Sequence, residues 1–255
     1  MRLPLQGKKG LVVGIANDRS IAYGCAKAFR EAGADLAVTY LNDKGRRYTE
    51  PLSEALGAEL LLPCDVREEG QVEALFEAVR ERWGRLDFLL HSIAFAPRDD
   101  LHGRVTDCSR EGFDMAMNVS CHSFIRMARH AEPLMDDGGA LMTMSYYGAE
   151  KVVDRYNLMG PVKAALEASV RYLAVELAEK RIRVYALSPG PMETRAASGI
   201  DRFDELMERA AERAPRHALV TIEQVGNVAA FLASGAAEGM TGNTVFVDHG
   251  YNVVG

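Results

Sequence analysis

Residues 11–24 read LVVGIANDRSIAYG and join a short apolar run, through a glycine and a polar turn, to a segment with helical periodicity. A glycine where a strand ends permits a tight turn, and N–H groups at the start of the next helix suit a pyrophosphate. The stretch lacks the middle glycine of GxGxxG and places Ser20 and Ile21 at the helix start. It predicts dinucleotide binding at Gly14, Ser20 and Ile21. The competing interpretation is an ordinary turn in which Ser20 caps the helix.

The same alternation continues along all 255 residues. Continuous apolar runs, typical of strands buried on both faces, lie at 11–15, 35–40, 60–66, 86–94, 140–146, 183–188 and 244–248. Segments with apolar residues three and four apart lie at 20–32, 44–56, 71–83, 110–135, 156–179 and 223–233. Gly33, Gly57 and Gly84 follow predicted helix ends. The pattern predicts an α/β protein, one Rossmann-type domain over 1–255, with a doubly wound parallel sheet of about seven strands and helices on both faces.

Composition narrows the function classes. The net charge of −6 argues against nucleic acid or an anionic membrane as the main partner. The apolar runs are shorter than the roughly 18 residues of a membrane span, and the first ten residues lack the apolar stretch of a signal peptide. Four cysteines form no CxxC pair and no zinc-ligand spacing, so we expect reduced thiols and no metal. A soluble cytoplasmic protein is predicted.

Polar and small residues follow the next three predicted strands, where a cofactor would lie. Asp43 suits the ribose hydroxyls of NAD or caps a helix, whereas nearby arginines at 46 and 47 suit the 2′-phosphate of NADP. NADH is favoured and NADPH stays open. Asp65 either accepts a hydrogen bond from the adenine amino group or caps the next helix. The segment 91–94 (HSIA) lets the backbone approach a cofactor or serves ordinary packing.

Tyr156 and Lys163 stand seven residues apart at the start of the predicted helix 156–179. Residues at this spacing differ by only about 20° around a helix, so both should share one face. A nearby ammonium, or the positive charge of an oxidised nicotinamide, would lower the pKa of a phenol from its usual value of about 10. The pair therefore predicts an acid–base or hydrogen-bonding centre. The alternative is a buried tyrosine and a surface lysine that share a face by chance.

Together the motifs resemble the short-chain dehydrogenase/reductase superfamily and, within it, the bacterial NADH-dependent enoyl-[acyl-carrier-protein] reductases. The resemblance covers essentially the whole chain. Its motifs are Gly14-x5-Ser20-Ile21-Ala22-x-Gly24, Cys64-Asp65-Val66, His91-Ser92-Ile93-Ala94, Ser145-Tyr146-x-Gly148-Ala149-Glu150, Tyr156-x6-Lys163, Gly190-Pro191-x-x-Thr194 and Ala196-Ala197-Ser198-Gly199-Ile200. The superfamily at large uses Tyr-x3-Lys with an upstream serine. A Tyr-x6-Lys spacing with another tyrosine ten residues earlier is specific to the enoyl reductase branch.

The resemblance implies a role for each matching residue. Tyr156 would donate a hydrogen bond to the thioester carbonyl oxygen, Lys163 would hold the nicotinamide ribose hydroxyls, and Tyr146 would border the substrate. The implied cofactor contacts are Gly14, Ser20, Ile21, Leu41, Asp65, Val66, Ser92, Ile93, Ala94, Lys163, Met192 and Thr194. The implied substrate walls are Phe95, Ala96, Tyr146, Tyr156, Met159, Ala196, Ala197, Ile200 and Phe203, several of them on a lid at about 189–213.

The implied reaction is reduction of the C=C bond of a 2-enoyl thioester, carried on acyl carrier protein, with hydride from NADH. This is the last reductive step of fatty-acid elongation, and the family implies a homotetramer. Three positions depart from the family pattern: Leu41 replaces a glutamine, His249 replaces a glycine, and the stretch 201–205 (DRFDE) is acidic where a basic docking helix is usual. An enoyl-CoA substrate, a carbonyl substrate and a non-catalytic dinucleotide-binding protein stay open as alternatives.

Overall fold

Strands and helices alternate along the chain in the computed structural model, which describes residues 3–192 and 203–254. The described strands are β1 (Lys9–Val13), β2 (Asp35–Tyr40), β3 (Leu60–Pro63), β4 (Phe88–His91), β5 (Gly139–Met144), β6 (Ile182–Pro189) and β7 (Asn243–Val247). The described α-helices are α1 (Ile21–Glu31), α2 (Asp43–Ala55), α3 (Gln71–Trp83), α4 (Arg98–His102), α5 (Arg110–Met117), α6 (Ser123–Ala131), α7 (Met159–Glu176), α8 (Phe203–Arg213) and α9 (Ile222–Ala233).

The seven described strands form one sheet in the order β3-β2-β1-β4-β5-β6-β7, and every neighbouring pair is parallel. Val13 at the end of β1 lies opposite His91 at the end of β4. Along the chain, β2 and β3 are added on one side of β1, and β4 to β7 are then added on its other side. The strand order therefore reverses between β1 and β4, and ligands of such sheets bind beyond the carboxyl ends at this point.

Both faces of the sheet are covered, because successive strand residues point to opposite sides. Leu11 and Val13 pack with α3, α5, α6 and α7, whereas Val12 packs with α1 and α9 on the other face. The predicted α/β fold with a doubly wound parallel sheet is confirmed. Within the described ranges, no helix combines the length and the apolar character needed to cross a membrane.

Several predicted element boundaries were wrong. β3 stops at Pro63 and β4 at His91, so the segments 64–66 and 92–94 are loops beyond the strands. The predicted helix 110–135 is interrupted by a π-helical turn, Asn118–His122. The Ser120 hydroxyl in this turn accepts a hydrogen bond from the N–H of Phe95 (2.9 Å) and donates one to its carbonyl oxygen (3.1 Å). The interruption thus ties the helix to the loop after β4.

The helix predicted at 156–179 begins at Met159, because Arg155 and Asn157 adopt left-handed backbone conformations with φ of 65° and 40°. Tyr156 therefore lies in the turn before α7. The prediction that Tyr156 and Lys163 share one helix face is wrong.

The three glycines predicted to follow helix ends have the expected left-handed backbone conformation. Gly33, Gly57 and Gly84 have positive φ just past the ends of their helices. His249, which replaces a family glycine, also has a positive φ of 54°. Its Nδ1 lies 3.0 Å from the carbonyl oxygen of Ala218, so this nitrogen carries the proton and donates.

Candidate active site

The ends of β1 and β4 approach each other closely at Gly14. A Cβ atom built on Gly14 would lie 2.1 Å from the carbonyl oxygen of Ser92, and the φ of Gly14 is +112°. Both values exclude a side chain, so glycine is required for this approach. The backbone N–H of Ser92 donates to the carbonyl oxygen of Val13 at 2.9 Å, which continues the pairing of the two strands.

Ser20 stands at the N-cap position of α1 but does not cap the helix with its side chain. Its hydroxyl instead donates to the carbonyl oxygen of Asn17 at 2.6 Å. The competing interpretation is thus confirmed for the position of Ser20 at the N-cap, but not for a cap bond from its side chain. The first turn of α1 also contains no acidic residue, so its N–H groups and the positive end of its dipole suit an anion. Ile21 is the first residue of the helix, and the pyrophosphate contact of both residues stays a prediction.

Leu41 lies at the end of β2 with 52% of its surface exposed. Asn42 caps α2 by accepting a hydrogen bond from the N–H of Gly45 at 3.0 Å, so the alternative that Asp43 is the cap is wrong. Of the two arginines that suit NADP, Arg46 is paired with Glu50 one turn along α2 at 2.8 Å. The cofactor contact of Leu41 stays a prediction.

Asp65 lies in the loop after β3 and is buried. Its carboxylate accepts hydrogen bonds from the backbone N–H of Arg67 (3.0 Å) and from the Arg67 Nε (2.9 Å), and this guanidinium holds the pKa of Asp65 below its usual range. α3 begins later, with Gly70 at its N-cap, so the helix-cap alternative for Asp65 is wrong. Arg67 was missed in the sequence, although a basic residue two positions after the aspartate was visible. Val66 is buried, and its carbonyl oxygen accepts from Arg126 at 2.9 Å.

His91 is a second residue that sequence analysis did not assign to the site. It is fully buried at the end of β4, and burial lowers its pKa to about 3, so the ring is neutral. Since the Ser123 hydroxyl donates to the carbonyl oxygen of Val119, Nε2 of His91 donates to Ser123 (2.7 Å) and Nδ1 accepts from Thr143 (2.9 Å). A chain of polar groups therefore fixes the strand end from which the segment 92–94 extends.

The predicted wall residues begin directly after this segment. Ser92 and Ile93 are half-buried, and Ala94 is exposed. Phe95 is also exposed, and Ala96 packs against the core on the α7 side of the sheet.

Tyr146 and Tyr156 meet near the end of β5, with ring centroids 4.8 Å apart and 63° between their planes. Gly148 makes room for this contact, because a Cβ atom there would lie 2.4 Å from the ring of Tyr156. The hydroxyl of Tyr146 is buried and has no hydrogen-bond partner among the described residues. The structure thus brings together two of the three residues predicted to be catalytic.

Burial raises the pKa of both phenols well above their usual range, and Glu167 adds to the effect at Tyr156. The expected lowering of the Tyr156 pKa by a nearby ammonium is therefore wrong for this structure, where burial, Tyr146 and Glu167 all raise it. A lowering by the positive charge of an oxidised nicotinamide stays a prediction. A neutral phenol can still donate a hydrogen bond. Tyr156 is thus suited to donate to an oxygen on which negative charge develops.

Lys163 is buried on α7, and its Nζ donates to the carbonyl oxygen of Met144 at 2.6 Å. The alternative of a surface lysine is therefore wrong. Burial lowers the pKa of Lys163 to about 8. The amine reaches the end of β5 two residues before Tyr146, so Lys163 and the tyrosine pair share one region of the sheet edge.

The remaining predicted residues divide between the described and undescribed parts of the chain. Met159 and Met192 are buried. Thr194, Ala196, Ala197 and Ile200 lie outside the described residues. Of the lid predicted at about 189–213, the range 193–202 also lies outside them, Pro189 is the last residue of β6, and Phe203 begins α8. The Ser188 hydroxyl at the end of β6 is buried and, like that of Tyr146, has no partner within the described part of the chain. These two unpartnered hydroxyls, and the close backbone approach that Gly14 permits, fit a polar cofactor and substrate at this edge.

Comparison with known proteins decides the family. A family model described as enoyl-(acyl carrier protein) reductase matches residues 14–252, a range that begins at Gly14 and includes both tyrosines and Lys163. The chain belongs to this family.

Individual enoyl reductases match over nearly the full chain. The enoyl-[acyl-carrier-protein] reductase [NADH] 1 of Rhizobium meliloti is 48% identical over 98% of this chain and 92% of its own length. The Anaplasma phagocytophilum reductase, solved in complex with NAD, has a TM-score of 0.96 and 47% identity, and the match covers 100% of this chain and 97% of that one. The Bacillus cereus reductase, solved with NADP+ and an indole naphthyridinone, has a TM-score of 0.97 and 44% identity, with both chains covered completely.

Proposed function

We infer that this protein is an NADH-dependent enoyl-[acyl-carrier-protein] reductase that reduces the C=C bond of 2-enoyl thioesters. The observation that carries the proposal is the contact between Tyr146 and Tyr156 at the end of β5, where Lys163 also arrives. NADH, when bound, supplies the hydride that is added to the β-carbon of the substrate. The protein supplies placement and electrostatic stabilisation.

Tyr156 is proposed to donate its hydroxyl hydrogen bond to the thioester carbonyl oxygen. That oxygen gains negative charge as an enolate forms, and a fixed donor stabilises it more than the neutral carbonyl. Because burial raises the pKa of Tyr156, the phenol stays protonated at neutral pH and keeps its donor. Tyr146 borders the same space, and its buried hydroxyl is available to a ligand.

Lys163 is proposed to bind the ribose hydroxyls of the nicotinamide half of the cofactor. An ammonium has three donors, so the bond to Met144 leaves further donors for a ligand. The other groups proposed to hold the cofactor are Gly14, Ser20, Ile21, Leu41, Asp65, Val66, Ser92, Ile93, Ala94, Met192 and Thr194. The proposed acyl-chain walls are Phe95, Ala96, Met159, Ala196, Ala197, Ile200 and Phe203.

We further propose a cytoplasmic homotetramer that acts on substrate bound to acyl carrier protein. Free cysteines at all four positions agree with a reducing compartment. Tyr172 and Val175 on α7 are 74% and 78% exposed, which favours contact with further subunits. Light scattering coupled to gel filtration tests the assembly, since a monomer would contradict the proposal.

The reaction is tested by following NADH absorbance with purified protein. We expect oxidation with a 2-enoyl thioester and none with the matching 3-oxo thioester, because the site is proposed to act on the C=C bond. Parallel assays with acyl-carrier-protein and CoA thioesters, and with NADPH in place of NADH, identify the carrier and cofactor. Undisturbed NADH binding without turnover would instead indicate a non-catalytic dinucleotide-binding protein.

A further inference from the structure

Glu167 is a buried carboxyl group on α7, one helical turn beyond Lys163 and only 6% exposed. Burial of a carboxylate is costly unless other groups bind it. None of the roles described above uses this residue. Its position on the same helix as Lys163, at a spacing of four residues, places both side chains on one face of α7.

The partners of Glu167 lie at the end of β5 and on β7. The Ser145 hydroxyl donates a hydrogen bond to Oε1 of Glu167, and Thr244 on β7 also hydrogen-bonds to this carboxyl group. Lys163 binds the carbonyl oxygen of Met144, the residue before Ser145. Two side chains of α7 therefore bind consecutive residues, the last residue of β5 and the residue after it, immediately before Tyr146.

The charged and titratable groups around Lys163 come from several elements. The π-helical turn contributes Cys121, whose thiol stays protonated because burial raises its pKa, and β4 contributes the neutral His91. The turn before α7 contributes Tyr156, also neutral. Burial lowers the pKa of Lys163, and Cys121 and, on α7 itself, the carboxyl group of Glu167 act in the opposite direction.

Burial raises the pKa of Glu167 above its usual value, while hydrogen bonds from Ser145 and Thr244 oppose this effect and favour the ionised form. Two exposed residues also act on the pKa of Glu167: Glu150 raises it and Arg171 lowers it. Among the described groups that act on Lys163, Glu167 is thus suited to supply a negative charge inside the protein.

We propose that Glu167 is a positioning residue of the active site, whose carboxylate, held by Ser145, keeps the buried Lys163 in its ammonium form for cofactor binding. This inference rests on the proposed function, because it assumes that Lys163 binds the cofactor. An ammonium donates three hydrogen bonds, whereas a neutral amine is a weaker donor without charge. The role of Glu167 is therefore to extend the pH range over which Lys163 binds NADH.

The test is the NADH dissociation constant as a function of pH, followed by fluorescence in wild type and in Glu167→Gln. In wild type we expect affinity to fall as the pH rises through about 8, the pKa of Lys163. Glutamine keeps a hydrogen-bond acceptor for Ser145 but has no charge, so the fall should occur roughly one pH unit lower. Glu176→Gln, an exposed change on the same helix, is the matched control. It should keep the wild-type midpoint, meaning the pH at which half of the fall in NADH affinity has occurred.

An unchanged midpoint in Glu167→Gln, or no fall in wild type, would overturn the inference. If Glu167→Gln does not fold, Glu167→Asp takes its place. Its shorter side chain withdraws the carboxylate from Lys163, so we expect a smaller shift of the midpoint in the same direction. An unchanged midpoint in this variant overturns the proposal. Enoyl thioester reduction by wild type is a separate readout. Turnover with an unmoved midpoint refutes only the role of Glu167, whereas a shifted midpoint without turnover refutes the proposed function.

Discussion

Tyr146 and Tyr156 pack edge to face at 4.8 Å between ring centroids, yet their hydroxyls have different surroundings. The hydroxyl of Tyr146 is buried without a partner in the described residues. Burial raises the pKa of both phenols, and at Tyr156 the neighbouring Tyr146 and Glu167 add to the effect. Both phenols stay neutral at physiological pH. The pair therefore works through hydrogen-bond donation, and the two hydroxyls can be separated by mutation.

Tyr156→Phe should lower kcat with the enoyl thioester by about 100- to 1000-fold, the usual effect of removing a donor to a developing oxyanion. The NADH dissociation constant should stay within about twofold, because the lost hydroxyl acts on the substrate. Steady-state kinetics and NADH fluorescence check the two expectations. Tyr147→Phe is the control, since Tyr147 packs on Tyr251 and its hydroxyl has no proposed role. Unchanged turnover in Tyr156→Phe would remove this residue from its role.

Tyr146→Phe should leave the unliganded protein as stable as wild type or more stable by up to about 1 kcal/mol. The reason is that the change removes a buried hydroxyl that has no partner and so relieves its desolvation cost. Urea unfolding without cofactor or substrate measures the effect. A loss of more than about 1 kcal/mol would instead indicate that the hydroxyl has a stabilising partner in the unliganded protein.

Lys163 should make stability depend on alkaline pH. Its pKa is lowered from 10.5 to about 8 by burial, so between these values the unfolded chain binds more protons than the folded protein. Stability therefore rises with pH across this window, by about 3 kcal/mol in total. Lys163→Met should lack this rise, which urea unfolding at several pH values measures. Parallel stability curves for the two proteins would contradict a lowered pKa for Lys163.

Much of the fold could be predicted because it depends on local patterns. Apolar runs such as 35–40 identify buried strands, and glycines such as Gly33 mark helix ends through their backbone conformation. The strand–turn–helix at 11–24 then places the phosphate-binding edge, since parallel strands direct their carboxyl ends to one side. Each of these signals lies within about a dozen residues.

The parts that could not be predicted depend on contacts between distant segments. The start of α7 at Met159 follows from left-handed residues at 155 and 157, which no periodicity reveals. The raised pKa of Tyr156 follows from its burial, which is a property of the assembled core. Glu167 looked like an ordinary helix residue, and only the hydrogen bond from Ser145, twenty-two positions earlier, shows its place in the site.

Gly14→Ala should destabilise the protein by about 3 kcal/mol or more and abolish measurable NADH binding. A Cβ there would meet the carbonyl oxygen of Ser92 at 2.1 Å and its carbon at 2.7 Å, and both are backbone atoms that cannot rotate away. The φ of +112° adds strain for any L side chain.

Gly45→Ala is the matched control, because its φ is not positive and its nearest neighbour would be the Asn42 side-chain oxygen at 3.6 Å. Since Gly45 lies within α2, alanine should leave stability unchanged or raise it by up to about 1 kcal/mol. Urea unfolding and NADH fluorescence on both variants test the contrast. If Gly14→Ala unfolded like wild type and bound NADH, β1 and β4 would not approach at Gly14, and the cofactor edge would need a different geometry.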